Sequence, residues 1–225
     1  MGIALGALLN APTALLDAQD GFDEEVELEL PEDGTTENFW VLDFKPIAVR
    51  TFTSRKGGSK GRIYWYLIYE LRNPGDEDRE IYIDLRAASE RGKRYGDVFL
   101  PTVEREIEKK IGKNLWGRTD EFAVLADRDP NDPKYRYLPL KAGETRRSIA
   151  VFNEFDPNAN HITIEIAGLS NEVASVKLED GTDALGQRIR KLSYYRNGDE
   201  FAVTRDSFEL KRQEWIRRVI RVESN

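Results

Sequence analysis

Alternating acidic and amide side chains in one loop are the sequence feature closest to a chemical site. Asp127, Asp129 and Asn131 place oxygen atoms at alternating positions, with Asp132 next to the last of them, and Ca²⁺ prefers flexible cages of carboxylate and carbonyl oxygens. Unlike a helix–loop–helix calcium loop, this one has no glycine at its sixth position, and its twelfth residue is Leu138 instead of glutamate. These four residues are therefore a candidate metal site for calcium, and a loop built only of turns stays open as the alternative.

The rest of the composition excludes most catalytic chemistry. His161 is the only histidine and there is no cysteine, which excludes histidine-based triads, multi-histidine metal sites, thiolate chemistry and disulfides. No nucleophile elbow, dinucleotide fingerprint or phosphate loop occurs. Paired carboxylates alone could support glycoside hydrolysis, but their pairing cannot be deduced from the sequence. The sequence predicts a protein without enzymatic activity.

Acidic and basic residues are separated along the chain. The net charge is −7, which disfavours a general nucleic-acid binder, and residues 17–37 hold ten acidic residues and no basic one. The C-terminal part is basic, so it forms either solvated strand faces or a patch for an acidic partner, a polyanion or the chain's own acidic segment. Trp215 beside Arg217 and Arg218 fits an interface hot spot, and these three are candidate partner-binding residues. The basic residues are Arg188, Arg190, Lys191, Arg196, Lys211, Arg212, Arg217, Arg218 and Arg221.

The elements that must position these residues are organised around one stretch, RIYWYLIYELRN, from Arg62 to Asn73. It is rich in aromatic and β-branched residues, which favour a strand, and its side chains alternate between two faces. One face is wholly apolar or aromatic and should meet the core. The other begins aromatic and ends charged, so it should be covered at one end only. The first face carries Ile63, Trp65, Leu67, Tyr69 and Leu71, and the second Tyr64, Tyr66, Ile68, Glu70 and Arg72.

Three further segments have clear signals. Residues 39–53 predict a strand that contains Pro46, and because proline cannot donate to a ladder, this strand should lie at an edge or bend there. Residues 101–111 predict a helix with an apolar residue at every fourth position and Gly112 as its end. Residues 79–87 alternate and predict the hairpin partner of the central strand. Residues 208–222 fit a strand or a helix, and the β-favouring residues make strand the prediction.

Two strand-and-turn segments carry a resemblance to a known family. YLIYELRNPGDEDREIYIDL, from Tyr66 to Leu85, and LPLKAGETRRSIAVF, from Leu138 to Phe152, resemble immunoglobulin-like β-sandwiches of the bacterial cell envelope. ITIEIAGLSN and YYRNGDEF are similar to segments of a class of uncharacterised bacterial proteins with no assigned function. The resemblance implies a sandwich in which the helix is an insertion. Because the shared motifs are turns, they imply a fold more than an activity.

The sequence thus predicts an all-β, immunoglobulin-like antiparallel β-sandwich with one inserted α-helix at about 99–112. The domain spans 38–225, and about 172–225 form a C-terminal β extension. Residues 1–20 resemble the apolar part of a signal peptide without its basic start, and 21–37 form an acidic linker. Secreted or periplasmic localisation is expected, with the cytoplasm as the alternative and no transmembrane segment in the mature chain.

The expected function is that of a non-catalytic structural or protein-interaction module of the bacterial envelope or secreted space. Its partner would be an unknown protein or an envelope polymer, and no nucleic acid. The alternative is a calcium- or carbohydrate-binding β-sandwich module that uses the loop at Asp127. Apart from calcium, the sequence predicts no cofactor.

Overall fold

The computed structural model describes residues 39–54, 61–112, 138–153, 156, 159–178, 183–196 and 208–220. The predicted leader (1–20) and acidic linker (21–37) lie outside the described residues. Strands and one helix make up most of the described part, and every strand pair is antiparallel. The predicted all-β sandwich with one helix is confirmed. The elements are β1 (Asp43–Ser54), β2 (Arg62–Arg72), β3 (Arg79–Ile81), β4 (Asp84–Ser89), β5 (Arg94–Gly96), α1 (Pro101–Ile111), β6 (Leu138–Leu140), β7 (Thr145–Asn153), β8 (His161–Ala167), β9 (Val173–Lys177), β10 (Asp183–Arg196) and β11 (Phe208–Ile220).

Strand β2 is central, as predicted, and lies between β1 and β7 in a three-stranded sheet. Its first face, with Trp65, Leu67, Tyr69 and Leu71, joins the main core. Ile63 does not, because it lies at the start of the strand and is 40% exposed. Burial of large apolar side chains on this face is the main stabilising contribution of the strand, at roughly 1.5–3 kcal/mol for each fully buried side chain.

The second face of β2 is covered by α1. Tyr66 and Ile68 pack with Val103 and Ile107 of the helix in a separate apolar cluster. The helix has the predicted bounds and ends at Gly112, whose φ of 66° is left-handed and whose N–H donates to the Glu108 carbonyl. The predicted half-covered face is therefore confirmed, and the inserted helix provides the cover.

Strand β1 lies at an edge of the three-stranded sheet. Its register against β2 shifts between Pro46 and Ala48. The missing N–H of Pro46 accounts for both features, because an edge strand needs no donor on its open side and a bulge relieves the lost ladder bond.

The second layer is a six-stranded sheet in the order β11-β10-β8-β4-β5, with β9 paired to the first part of β10. Its inner face meets β2 through Leu85, Ile162, Ile164, Ile166 and Leu192. The C-terminal segment forms β11, so strand is the correct alternative there. Strands β9, β10 and β11 continue the same sheet that contains β4 and β8.

The predicted hairpin between β2 and residues 79–87 is wrong. Both edges of β2 are taken by β1 and β7. Residues 79–87 instead contribute to two strands, β3, which pairs with β6, and β4, which pairs with β5 and β8 in the other sheet. The turn after Asn73 directs the chain to the second layer. Alternation identifies a strand but does not identify its partner.

The two turns that carry the family resemblance are hydrogen-bonded to each other, and we call this the turn–turn contact. The Asn73 N–H donates to the Glu144 carbonyl (3.0 Å), and the Gly143 N–H donates to the Asn73 carbonyl (3.0 Å). The buried Asn73 side chain donates to the carbonyls of Glu77 (2.8 Å) and Leu140 (3.2 Å) and accepts from Gly75 N–H (3.1 Å). Both motifs therefore have a structural role at one end of the sandwich.

Candidate functional site

The predicted calcium loop, with Asp127, Asp129, Asn131 and Asp132, lies outside the described residues. In the described part of the chain, no three histidine, aspartate or glutamate side chains come together to hold a metal ion. Nor does that part contain a helix long and apolar enough to span a lipid bilayer.

The three candidate partner-binding residues lie on two different faces of the six-stranded sheet. Trp215 packs against the main core, so it lies on the inner face. Arg217 is two residues further along β11 and shares that face, whereas Arg218 points to the opposite side. Alternation along the strand therefore separates Arg218 from the other two, and the three do not form one patch.

On the inner face, Trp215, three arginines and Glu172 interact with one another. The guanidinium groups of Arg188 and Arg190 both lie over the Trp215 ring, at 4.5 Å and 5.0 Å from its centroid. Glu172 accepts hydrogen bonds from Arg188 (2.8 Å) and Arg217, and its side chain is only 11% exposed. A buried carboxylate held by two guanidinium groups satisfies charges that would be costly to leave unpaired, so this group has a structural role.

Arg196 is one of the nine basic residues of the C-terminal part, and nothing in the sequence indicates that it is buried. It is 7% exposed, and its guanidinium lies over the rings of Phe208 (4.9 Å) and Trp65 (5.6 Å). The three guanidinium nitrogens of Arg196 have no hydrogen-bond partner among the described residues. Burial lowers the pKa of Arg196, while the charges of Glu90 and Asp156 oppose this. Two aromatic faces compensate part of the desolvation of this cation.

The opposite side of the six-stranded sheet, which we call the outer face, carries a different arrangement. Lys191, Glu165 and Arg86 are direct cross-strand neighbours on β10, β8 and β4. In the adjacent row, Thr163 and Ala88 are small. Because these small side chains lie next to long ones, the face has a depression of about 370 Å³. The charged residues that line this depression are Asp84, Arg86, Arg94, Asp97 and Glu165.

Glu165 is the central acidic group of the outer face. Its Oε2 atom is shielded from solvent and accepts no hydrogen bond from the described residues. Burial is the largest influence and raises the pKa of Glu165, against the opposing charges of Arg218, Arg86 and Arg94. The positive charges of this face thus surround a carboxyl group whose ionised form is poorly solvated.

A second depression of about 320 Å³ continues the outer face toward the start of the described chain. Asp84 lines both depressions, and Trp40, Tyr82 and Arg218 line the second one only. Gly168 permits the close approach of strands here. Its φ is 87°, and a Cβ atom would lie 1.9 Å from the Tyr82 carbonyl oxygen. The outer face is therefore one continuous surface of two depressions.

Ile189 and Ile216 add an apolar part to the outer face. They are direct cross-strand partners on β10 and β11, and Ile189 is completely buried whereas Ile216 is half-buried. The alternation of residue types in HITIEIA and DLRAAS predicts such a mixed face. Nothing in the sequence predicts the register that places Glu165 between Arg86 and Lys191.

Comparisons of the chain with protein-family models, with curated proteins and with solved structures give no match. The geometry of the chain itself is therefore the basis for a functional proposal.

Proposed function

We propose that this protein is a non-catalytic protein-interaction module of the bacterial envelope or secreted space, and that it binds an acidic polypeptide on the outer face. The observation that carries the proposal is the arrangement of Arg86, Arg94 and Arg218, interleaved with acidic side chains, around two connected depressions. The location rests on the resemblance to envelope sandwiches and on the leader-like residues 1–20.

Arginine is the suitable residue for such a surface. Its planar guanidinium can hold a carboxylate through two parallel hydrogen bonds and remains charged at all physiological pH values. Arg86 already donates to Asp84 (2.9 Å) while its side chain is 47% exposed. Since that ion pair is largely solvated, an incoming carboxylate can share or replace Asp84 at small cost.

The shape supports a polypeptide ligand. Neighbouring strands lie about 4.8 Å apart, so a path over the five strands from β11 to β5 is about 20 Å long. An extended segment of six or seven residues covers that distance. The half-buried Ile216 gives a peptide side chain an apolar contact that a simple polyanion does not use.

Binding of a fluorescent oligoglutamate peptide tests the proposal. The measurement uses the full chain with Asp23→Asn, Glu24→Gln, Glu25→Gln, Glu27→Gln and Glu29→Gln, called the neutralised chain, which removes five of the ten acidic side chains of residues 17–37 as competitors. Titration by anisotropy at low salt should show saturable binding. The double substitution Arg86→Gln and Arg94→Gln, called the face variant, should weaken binding about tenfold or more, because charge-assisted hydrogen bonds contribute roughly 1.5–3 kcal/mol.

The matched control carries Arg105→Gln and Lys109→Gln. It removes two positive charges from exposed positions of α1, which covers the other sheet, and should leave binding unchanged. Equal loss in both variants would indicate a net-charge effect and contradict the proposal. Binding of dextran sulfate without any binding of oligoglutamate would also contradict it, since the face would then recognise a sulfated polymer.

A further inference from the structure

Strand β11 ends the six-stranded sheet with a long open edge. It pairs with β10 on one side, and among the described residues no strand pairs with its other side. Its register against β10 is regular over the nine residues from Arg212 to Ile220, since the shift lies between Ser193 and Tyr194 of β10. A regular edge of this kind presents a row of backbone donors and acceptors that can pair with another strand.

The other edges of the two large sheets carry features that hinder such pairing. Strand β1 contains Pro46 and a register shift, and β5 has only three residues. On β7, the Val151 carbonyl already accepts a hydrogen bond from the Val98 N–H (2.9 Å). Short strands, proline and irregular register are ways in which sheet edges avoid association. Strand β11 is thirteen residues long and contains no proline, so among these edges it is the one suited to a partner strand.

The side chains of β11 favour a second copy of the same strand as that partner. We propose that two copies of this protein associate through the open edges of β11, antiparallel, with a two-fold axis at Ile216. Because directly opposite residues of antiparallel strands point to the same side, the inner faces of both copies stay on one side of the joined sheet. Each residue then lies opposite the residue that is equally far beyond Ile216 in the second copy.

The charges on β11 select this register. With the axis at Ile216, Glu214 lies opposite Arg218 of the second copy, and the same pair forms again on the other side of the axis. A shift of the axis by one residue toward the N-terminus places Arg212 opposite Arg218. A shift by one residue toward the C-terminus places Arg217 opposite itself. Like charges directly opposite each other destabilise a sheet and opposite charges stabilise it, so the axis at Ile216 is favoured.

The existing contacts of the two charged residues leave room for this pair. Glu214 already binds Arg212, but the Arg212 side chain is 69% exposed, so that ion pair is largely solvated and contributes little. Lys191 lies across from Glu214 on β10, and a carboxylate can accept hydrogen bonds from more than one cation. Arg218 makes no ion pair among the described residues, although its charge acts on Glu165.

An apolar row crosses the same axis. Ile189 on β10 lies directly opposite Ile216, and Ile189 is completely buried whereas Ile216 is half-buried. In the joined sheet, the row continues with Ile216 and Ile189 of the second copy. The association therefore covers the exposed part of Ile216, and this apolar burial adds to the backbone hydrogen bonds between the two edges.

The absence of native cysteine permits a direct test by cross-linking. Ile216→Cys in the full chain would place the thiols of both copies at the axis, where opposite Cα atoms are about 4.5–5.5 Å apart. Since disulfides join Cα atoms about 4.4–6.8 Å apart, mild oxidation should convert this variant to covalent dimers. Gln213→Cys is the matched control. Its thiols would be six residues apart along the two strands, about 20 Å, and should not cross-link.

An exchange of charges tests the register without cysteine. Glu214→Arg alone places like charges opposite each other twice, and so does Arg218→Glu alone. Each variant should therefore dimerise about tenfold more weakly than the wild type, or weaker still. An equimolar mixture of the two variants should dimerise like the wild type, because every mixed pair holds opposite charges. Sedimentation velocity over a roughly hundredfold range of concentration measures this association, and circular dichroism checks that all variants fold alike.

The outcomes decide the inference independently of the proposed function. A wild-type chain that stays monomeric over this range, or equal cross-linking of Ile216→Cys and Gln213→Cys, would overturn it. A mixture no more dimeric than either charge variant alone would also overturn it. The face variant changes only β4 and β5, so it should dimerise like the wild type although it binds the peptide weakly. Loss of the dimer in the face variant would place the contact elsewhere and contradict the inference.

Discussion

The turn–turn contact and the outer face both concentrate polar groups on a β-sandwich, yet they differ in hydrogen bonding. Every polar atom of the Asn73 amide described above has a partner at 2.8–3.2 Å. Glu165, in contrast, has a shielded oxygen without a partner in the described chain. A fully hydrogen-bonded network fixes a fold, whereas a buried carboxylate oxygen without a hydrogen bond is not explained by the fold alone.

The two regions also shift the pKa of a carboxyl group in opposite directions. Burial alone would raise the pKa of Glu144, but hydrogen bonds from the Arg146 side chain and the Lys141 backbone outweigh it and lower that pKa. For Glu165, burial outweighs the surrounding arginines and raises the pKa. One carboxylate therefore stabilises the folded state in its ionised form, and the other destabilises it.

The largest loss of stability is expected from Asn73→Ala, which removes the side-chain hydrogen bonds of Asn73 in the turn–turn contact. The substitution removes the buried hydrogen bond to the Leu140 carbonyl and the part-buried bonds to Glu77 and Gly75, and should lower the free energy of unfolding by about 3 kcal/mol. Denaturant unfolding measures this. Asn171→Ala removes a single exposed hydrogen bond and serves as the control, with an expected loss below about 1 kcal/mol. Equal losses in the two variants would show that the buried hydrogen bonds of Asn73 contribute no more than an exposed one.

A smaller loss is expected from Gly143→Ala in the same contact. Gly143 has a φ of 70°, and a Cβ atom in this left-handed conformation costs about 1–2 kcal/mol. Thermal unfolding should show the decrease. Gly96→Ala is the matched control, because a Cβ there meets nothing within 4 Å and the φ is ordinary. If both variants melt like the wild type, the turn conformation is not under strain.

The pH dependence of stability sharpens the comparison between the two carboxyl groups. A raised pKa means that folded Glu165 holds its proton longer than the unfolded chain, so stability falls as pH rises from about 4.5 through the folded pKa. Glu165→Gln should remove this fall and be more stable than the wild type at neutral pH. Glu144→Gln should lose stability at neutral pH, and its difference from the wild type should vanish as pH falls below the lowered pKa. The free energy of unfolding, measured between pH 3 and 8, tests both predictions. If both variants were more stable than the wild type at neutral pH, or both less stable, the difference between the two carboxyl groups would be contradicted.

The smallest effect on stability is expected from the face variant. Exposed ion pairs such as Arg86–Asp84 contribute about 0–1 kcal/mol, so Arg86→Gln with Arg94→Gln should change the free energy of unfolding by less than about 1 kcal/mol while binding is lost. A loss as large as that of Asn73→Ala, measured in the same denaturant titration, would mean that the outer face is structural.

Local patterns in the sequence predict the elements well. The alternation of aromatic residues from Arg62 to Arg72 predicts β2 and its two faces. The spacing of apolar residues predicts the bounds of α1, and Pro46 predicts that β1 is an edge strand. These signals are local, because they depend on residues within a few positions of each other.

Non-local pairing explains what the sequence does not reveal. The hairpin predicted after Asn73 is absent, since residues far along the chain occupy the edge of β2. The separation of Arg218 from Trp215 follows from strand assignment alone, but the row of Lys191, Glu165 and Arg86 depends on register between three strands. Arg196 depends on tertiary packing against Trp65, for which its neighbours in sequence give no signal.

The position of β7 beside β2 has a consequence for the rate of folding. Glu70 and Arg147 are hydrogen-bonded across this pair although they are 77 residues apart along the chain. Because the entropy of closing such a loop is lost before any contact is gained, a topology of this kind folds in about milliseconds to seconds instead of microseconds. During that time the aromatic faces of β2 are uncovered, so the yield of native protein should depend on concentration and on chaperones at the moment of synthesis.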